Sequence, residues 1–247
     1  RSFLTGRSVI SGDPQLPLDV LGMPIFMAKR FYNEMTVCAG NYDEAMIYFK
    51  NGVSNYPGAR WIIKESTGTK YNIESLKDDM TLEIGDRLLR DYKDDDIIML
   101  GRQPSLWSDS IRAFRVRIMK DSSTLRINPC VCVYFTADFD GDEMYLLAPS
   151  HEATAIEIEA HASISRSATS HQDGGPMAGM FQNSLWSISK MTTAGVVMSR
   201  DILMDLMSVV PERINVAANR REFTGREAVS FIIPDRISMR AIPMMYN

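Results

Sequence analysis

Three aspartates recur at alternate positions in the segment Ala137-Asp-Phe-Asp-Gly-Asp-Glu-Met144, directly after an apolar stretch. If the side chains of Asp138, Asp140 and Asp142 converge, three negative charges lie close together and resist joint ionisation unless a cation neutralises them. A hard divalent ion is the fitting partner, and Mg²⁺ suits a short carboxylate set that leaves positions for water and phosphate oxygens. Gly141 lets the backbone turn tightly between the carboxylates. The spacing therefore predicts a magnesium site.

Other interpretations of this cluster compete with a magnesium site. A short Asp-rich stretch is commonly a solvated acidic turn. A helix–loop–helix calcium loop needs Gly at its sixth position and Glu at its twelfth, whereas here Gly is fourth and Pro149 is twelfth. A phosphatase of the haloacid-dehalogenase kind would use Asp138 as nucleophile and Asp140 as general acid. That class usually has Thr where Asp142 stands, and no strand–helix alternation precedes the cluster, but it stays open as an alternative enzyme class.

Four further segments accompany the aspartates. They are Gly6-Arg-Ser-Val-Ile-Ser-Gly-Asp-Pro14, Gly101-Arg-Gln-Pro-Ser-Leu-Trp107, Gly175-Pro-Met-Ala-Gly-Met-Phe-Gln182 and Phe223-Thr-Gly-Arg226. With the aspartate segment, which resembles Asn-Ala-Asp-Phe-Asp-Gly-Asp, they are similar in the same order to segments of the largest subunit of multisubunit DNA-dependent RNA polymerases. Five matches spread over essentially the whole chain are not explained by chance.

The resemblance implies a fold and a chemistry. The fold is mixed α+β, a double-psi β-barrel that carries the catalytic loop and is followed by the start of a helical pore region. Asp138, Asp140 and Asp142 would hold the catalytic Mg²⁺, and a second Mg²⁺ would arrive with the nucleotide. The reaction would be two-metal phosphoryl transfer from a nucleoside triphosphate to the RNA 3′-hydroxyl.

The resemblance also implies roles for residues outside the cluster. Arg102 and Gln103 match positions that face the ribose of the incoming nucleotide and the RNA 3′ end, where a guanidinium fork suits hydroxyl and phosphate oxygens. Arg7 matches a position beside the template strand, where it would contact backbone phosphate without reading sequence. Thr136 stands where the family usually has Asn for recognition of the ribose 2′-hydroxyl, so that selection is expected to work differently here.

Further departures from the family pattern leave the aspartates intact. Gly101 and Trp107 replace Asn and His, and Asn183 follows Gln182 where Asp is usual. These changes mark a divergent lineage and are compatible with a viral origin.

The same resemblance implies partners and a location. The expected partners are the second-largest polymerase subunit, further subunits, template DNA and product RNA. We expect activity only within that complex, and a non-catalytic assembly module of such a complex is the second function hypothesis. The expected location is intracellular, in the nucleus or, for a viral protein, in a cytoplasmic viral factory or the virion.

The predicted elements that position these residues are mainly strands before Pro149 and helices after it. Turn signals with short apolar stretches predict short strands in residues 1–60, with one helix from Asp43 to Asn51. Residues 61–100 are predicted to form an antiparallel excursion, and the apolar run Cys130-Val-Cys-Val-Tyr-Phe135 is predicted to be a strand. The arginines of Arg115-Val-Arg117 are expected on one strand face.

Helices are expected beyond Pro149, so the predicted boundary divides an active-site domain, 1–150, from a pore region, 151–247. The first helix is predicted over Glu152–Ser163, with an apolar face that includes Ala153, Ile156, Ala160 and Ile164. The second is predicted over Met177–Lys190, opened by Pro176. The third is predicted over Ile202–Val209, begun by Ser199 and stopped by Pro211.

Composition bounds the remaining classes. The chain has 247 residues, 45% of them hydrophobic, and a formal net charge of −4, which taken alone argues against a nucleic-acid-binding protein. The charge is segregated, however: residues 78–96 hold eight acids and three bases, and residues 98–136 hold six bases and two acids. No apolar run is long enough for a membrane span, and we expect no secretory leader. The three cysteines, Cys38, Cys130 and Cys132, favour free thiols in a reducing compartment over disulfides or a zinc site.

Overall fold

The computed structural model describes residues 3–75, 81–149, 151–170, 174–180, 182–208, 210 and 220–233. The chain divides into two units, Arg1–Gly179 and Met180–Asn247. The strands are β1 (Phe3–Gly12), β2 (Val20–Pro24), β3 (Tyr32–Thr36), β4 (Ala59–Ile63), β5 (Lys70–Asn72), β6 (Arg87–Asp91), β7 (Ile97–Gly101), β8 (Ile111–Met119), β9 (Leu125–Ile127), β10 (Glu143–Pro149), β11 (Val197–Ser199) and β12 (Glu222–Thr224). The α-helices are α1 (Ile25–Ala28), α2 (Tyr42–Asn51), α3 (Cys132–Phe135), α4 (Glu152–Ala162), α5 (Gln182–Met191), α6 (Arg200–Met207) and α7 (Gly225–Ile232).

Six strands of the first unit close into a barrel in the order β1-β10-β7-β8-β2-β9. The pairs β1–β9 and β2–β8 are parallel, and the other neighbours are antiparallel. Alternate residues of β10, namely Met144, Leu146 and Ala148, are fully buried, as the two-residue period of a barrel strand requires. The predicted mixed α+β class with a double-psi β-barrel is confirmed.

A second sheet, with strand order β3-β6-β4-β5, is inserted between β2 and β7 of the barrel. Helix α2 packs on it and contributes Ala45, Tyr48 and Phe49 to a hydrophobic core. The acids Asp43 and Glu44 in its first turn and Lys50 in its last turn complement the helix dipole. The predicted helix and the antiparallel excursion of residues 61–100 are confirmed, although β7 already belongs to the barrel.

The predicted strand over Cys130–Phe135 is wrong, because this run is helical. A 3₁₀ turn, Pro129–Val131, leads directly into α3, and Asn128 caps the turn by accepting a hydrogen bond from the Cys130 amide at 2.9 Å. The cap and the fixed φ of Pro129 favour a helical start over extended backbone. Cys38, Cys130 and Cys132 are free thiols. Cys132 is buried, which raises its pKa to about 11 and makes it a poor nucleophile.

Helix α4 is confirmed, but its predicted apolar face is wrong. Ala155 is the buried residue, and it packs with Ile158 and Ala162 against Ile97 and Ala113 of the barrel. Ile156, by contrast, is 61% exposed. In a helix so rich in alanine, the apolar spacing is compatible with more than one face, and contact with the barrel selects among them.

The second unit combines the two-stranded antiparallel sheet β11–β12 with α5, α6 and α7. Its hydrophobic core contains Met198, Leu203, Met207, Phe223 and Ala228. The predicted third helix is present but begins at Arg200, two residues before the predicted Ile202. Its predicted start signal is confirmed, because the Ser199 hydroxyl caps the helix by accepting a hydrogen bond from the Ile202 amide.

The remaining predictions for this end of the chain concern the second helix, Pro211 and the domain boundary. The predicted second helix begins later than Pro176, at Gln182, because Pro176 forms a bridge with Thr169 instead. Pro211 lies outside the described residues. The assignment of residues 1–150 to an active-site domain and 151–247 to a pore region stays a prediction.

Candidate metal centre

The aspartate loop connects α3 to β10 and is held at both ends. Thr136 ends α3 in the left-handed conformation with φ 47°, and the buried Ala137 donates its amide to the Cys132 carbonyl at 3.1 Å. At the other end, the Asp142 carbonyl accepts a hydrogen bond from the Ile10 amide of β1 at 3.0 Å. These contacts fix the loop to α3 just before the first aspartate and to barrel strand β1 at the third.

The loop brings Asp138, Asp140 and Asp142 together. One carboxylate oxygen from each lies within 4.8 Å of the others. Gly141 has φ 120°, a backbone conformation that favours glycine, and so allows the turn between the second and third aspartates. The predicted convergence of the three side chains is therefore what the backbone produces.

The electrostatics of the cluster reflect this crowding. The pKa of Asp138 lies above its usual range, chiefly because its hydrogen bond with Asp140 favours the protonated form, with smaller contributions from desolvation and the neighbouring negative charges. The pKa of Asp142 lies below its usual range, chiefly because Arg102 donates to its carboxylate. An all-oxygen set that resists joint ionisation is the donor chemistry that a hard divalent cation satisfies.

The positively charged side chain of Arg102 contacts the aspartate cluster at Asp142. Gly101, its neighbour in β7, pairs with β10 at Tyr145, which brings residue 102 beside the start of β10. The guanidinium contacts Asp142 through two nitrogens, Nε to Oδ2 at 2.9 Å and Nη2 to Oδ1 at 3.1 Å. The Asp138 amide also donates to Asp142 Oδ2, at 3.1 Å. Both Asp142 oxygens are thus oriented before any ligand arrives.

The other predicted site residues are placed less tightly. Arg7 lies on β1 and contacts Glu143 rather than an aspartate, with Nε 2.6 Å from Oε2. Gln103 follows Arg102 in an exposed loop, and Thr136 is exposed two residues before Asp138. Within the described residues, neither the Gln103 nor the Thr136 side chain contacts the carboxylates by a hydrogen bond.

Sequence reasoning missed Glu143, Ser105 and Tyr145. Glu143 holds Arg7, and an acid directly after the third aspartate was a usable signal for it. Ser105 and Tyr145 contact each other, with Oγ and OH 2.7 Å apart. They are 40 residues apart, so no local pattern could have paired them.

Comparisons with known proteins agree with the resemblance. A profile of the family described as RNA polymerase Rpb1, domain 2, matches residues 1–164. The chain is 35% identical over 202 residues to proteins named DNA-directed RNA polymerase RPB1 homolog from African swine fever virus, among them isolates from South Africa, Namibia and Kenya. The aligned segment covers 81% of this chain and 14% of each viral protein. The chain therefore belongs to the RNA polymerase Rpb1 domain 2 family and is a divergent member similar to part of a viral largest subunit.

Proposed function

We propose that the chain is the catalytic-centre portion of a DNA-dependent RNA polymerase largest subunit and supports template-directed nucleotidyl transfer. One observation carries the proposal: three carboxylates from a single barrel loop have oxygens within 4.8 Å of one another. The arginine of a neighbouring strand end already engages one of them. Membership of the Rpb1 domain 2 family supports the same reaction class.

In this proposal Asp138, Asp140 and Asp142 hold Mg²⁺. Their all-oxygen donors fit that ion, and two of the three side chains are exposed to an incoming ligand. With a second Mg²⁺ that arrives with the nucleotide, the bound metal supplies activation of the RNA 3′-hydroxyl and neutralisation of charge on the α-phosphate and the leaving pyrophosphate.

The remaining roles belong to side chains around the carboxylates. Arg102 orients Asp142 and presents further N–H donors, which suit the ribose hydroxyls of the nucleotide. Gln103 and Thr136, both exposed, are available to the RNA 3′ end and the ribose. Arg7 is 59% exposed despite its ion pair with Glu143, so its charge remains accessible to template phosphate.

Partners complete the proposed site. We propose that the chain acts only within a complex that contains the second-largest subunit, further polymerase subunits, template DNA and nucleoside triphosphates. The proposed location is intracellular, either the nucleus or a cytoplasmic viral factory or virion. Among the described helices, none is long and apolar enough to cross a membrane.

The phosphatase alternative gains no support from the fold. Around the aspartates the chain runs from α3 through the loop into β10 of a closed barrel. In the described residues, the alternation of parallel strands and helices that this alternative expects is absent before the loop. The other alternative, a non-catalytic assembly module, shares the fold and is separated from the proposal by experiment.

In the decisive experiment, the Asp140→Ala substitution is made in the full-length subunit, the polymerase is assembled from it, and RNA synthesis is measured. Template-dependent RNA synthesis should be abolished while the complex still assembles, because Asp140 is exposed and its loss disturbs no packing. Asp121→Ala, which removes an exposed carboxylate from a turn elsewhere on the barrel, is the matched control. Substantial synthesis by the Asp140→Ala enzyme refutes the metal role and favours the assembly module.

A second measurement reports the metal directly. Fe²⁺ supplied in place of Mg²⁺ together with hydrogen peroxide, which it reduces as it is oxidised to Fe³⁺, should generate hydroxyl radicals that cleave the backbone near residues 138–142. Cleavage should disappear in Asp140→Ala and persist in Asp121→Ala. Purified residues 1–247 alone should make no RNA, and detectable template-dependent synthesis by them would contradict the dependence on partners.

A further inference from the structure

Tyr145 fills the space beside Gly101 that a side chain at position 101 would occupy. The two residues are direct partners across strands β7 and β10. A Cβ atom added to Gly101 would lie 2.5 Å from both Cζ and the hydroxyl oxygen of Tyr145, closer than real Cβ contacts allow. The aromatic ring therefore stands where the resembled polymerases carry the side chain of an asparagine.

The Tyr145 hydroxyl, placed beside Gly101, begins a chain of two hydrogen bonds that runs through Ser105 to Arg102. Its oxygen lies 2.7 Å from Ser105 Oγ, and Ser105 Oγ donates to the Arg102 carbonyl at 2.9 Å. A serine hydroxyl has one proton, and here the carbonyl takes it, so Tyr145 is the donor to Ser105. Hydrogen bonds in such a chain polarise and strengthen one another.

The loop that carries Arg102 has few other attachments. Residues 103–107 are all exposed, including Leu106 at 75% and Trp107 at 64%. In the described part of the chain, the side chains of residues 103–107 form hydrogen bonds only through Ser105. Strand pairing fixes the chain up to Gly101, and beyond it the contact between Ser105 and Tyr145 is the side-chain hydrogen bond that ties this described loop back to β10.

We propose that Tyr145 is a positioning residue for nucleotide binding, which acts through Ser105 to hold Arg102 against Asp142. Gly101 and Tyr145 form one unit in this role, because the ring replaces the side chain that Gly101 lacks. The inference rests on the proposed function, since the contact of Arg102 with the nucleotide gives the positioning its consequence.

The test is Tyr145→Phe in the full-length subunit of the assembled polymerase. Phe keeps the ring over Gly101 and removes only the hydroxyl, so folding is preserved. We expect the KM for nucleoside triphosphate to rise about fivefold, the effect of one ordinary hydrogen bond, with kcat largely unchanged. Ser105→Ala should act alike, and the double variant should be no worse than either single variant, because both remove the same chain.

Tyr42→Phe is the matched control. It removes a tyrosine hydroxyl at the start of α2 that donates to the Leu82 carbonyl at 3.1 Å, next to the core of the inserted sheet and not at the carboxylates. Its KM should equal that of the unaltered enzyme. An unaltered KM in Tyr145→Phe, additive effects in the double variant, or an equal KM rise in Tyr42→Phe would each overturn the positioning role.

The failure of this inference is distinguishable from the failure of the proposed function. If Asp140→Ala retains RNA synthesis, the proposed function fails. If Asp140→Ala abolishes synthesis while Tyr145→Phe has an unaltered KM, the metal site stands and only the positioning role of Tyr145 is wrong.

Discussion

Two arginine–aspartate pairs of the first unit share one chemistry and differ in surroundings. Arg90 on β6 of the inserted sheet and Asp96 directly before β7 have side chains only 9% and 7% exposed, and they meet through two hydrogen bonds of 2.7 Å. Asp96 accepts further hydrogen bonds from the Lys93 amide and the Asn33 side chain. Arg102 and Asp142 meet by a similar two-nitrogen contact but are 27% and 19% exposed.

The difference shows that burial, rather than the residue types in the pair, decides whether an arginine–aspartate pair is enclosed in the structure or stands open to a ligand. Around Asp96 the hydrogen-bonding positions are filled from inside the protein, so the pair holds the sheet together. Asp142 instead stands beside two exposed carboxylates that crowd it. In a third pair, the side chains of Arg7 and Glu143 are 59% and 46% exposed, so this pair is the most solvent-exposed of the three.

Breaking the buried pair should have the largest effect of the series on stability. Arg90→Met leaves Asp96 as a buried charge without its counter-ion, and the free energy of unfolding should fall by about 3–5 kcal/mol. Denaturant unfolding measures the loss. Arg87→Met on the same strand, whose pair with Glu34 leaves Arg87 44% exposed, is the control and should cost less than about 1 kcal/mol. Equal losses in both variants would remove the distinction by burial.

Altering the half-exposed pair should affect activity instead. Arg102→Lys keeps the charge but lacks the planar fork that contacts both oxygens of Asp142. RNA synthesis by the assembled polymerase should fall roughly ten- to a hundredfold, because misplaced groups at a reacting centre cost that much. The free energy of unfolding should change by less than about 1 kcal/mol. A large loss of stability with normal synthesis would assign this pair to the same role as Arg90–Asp96.

Asp91 tests what burial does to a carboxylate without such a partner. Burial raises its pKa to about 6, although the Gly58 amide donates to it at 3.2 Å. The folded chain thus binds this proton more tightly than the unfolded chain, so stability should fall as the pH rises from about 4 toward 6.

Asp91→Asn should flatten that slope. At pH 7 the variant should be more stable by about 1 kcal/mol, after allowance for solvent screening of a partly exposed group. Thermal unfolding followed between pH 4 and pH 7 gives the comparison, with the exposed Asp121→Asn as control. An Asp91→Asn variant with the slope of the unaltered chain would contradict the burial effect.

The exposed pair should contribute least to stability. Arg7→Ala should change the free energy of unfolding by less than about 1 kcal/mol. In the assembled enzyme it should weaken template binding for all sequences alike and lower the slope of log affinity against log salt by about 1. Fluorescence anisotropy with labelled template measures both. Glu143→Ala, which frees Arg7, is the paired variant, and template binding weakened equally by it would exclude a phosphate contact for Arg7.

Much of the fold could be predicted from local pattern. Helix α2, the start of α6 at Ser199 and the antiparallel excursion follow from capping residues, helical spacing and alternation, which are properties of neighbouring residues. Cys130–Phe135 was mispredicted because an apolar run of that length fits a buried strand or a buried helix equally well. The face of α4 was mispredicted because the barrel surface, not the helix, selects it.

The sequence by itself placed the three aspartates and Gly141 in one short segment, and their spacing predicted the carboxylate cluster that the folded loop forms. It also determined the family, because five segments in order are a property of the chain. Only the tertiary structure decided which cation orients Asp142, that Arg7 is held by Glu143, and that Tyr145 occupies the space beside Gly101. Those contacts join strands distant in sequence, and closure of the barrel is the physical event that brings them into register.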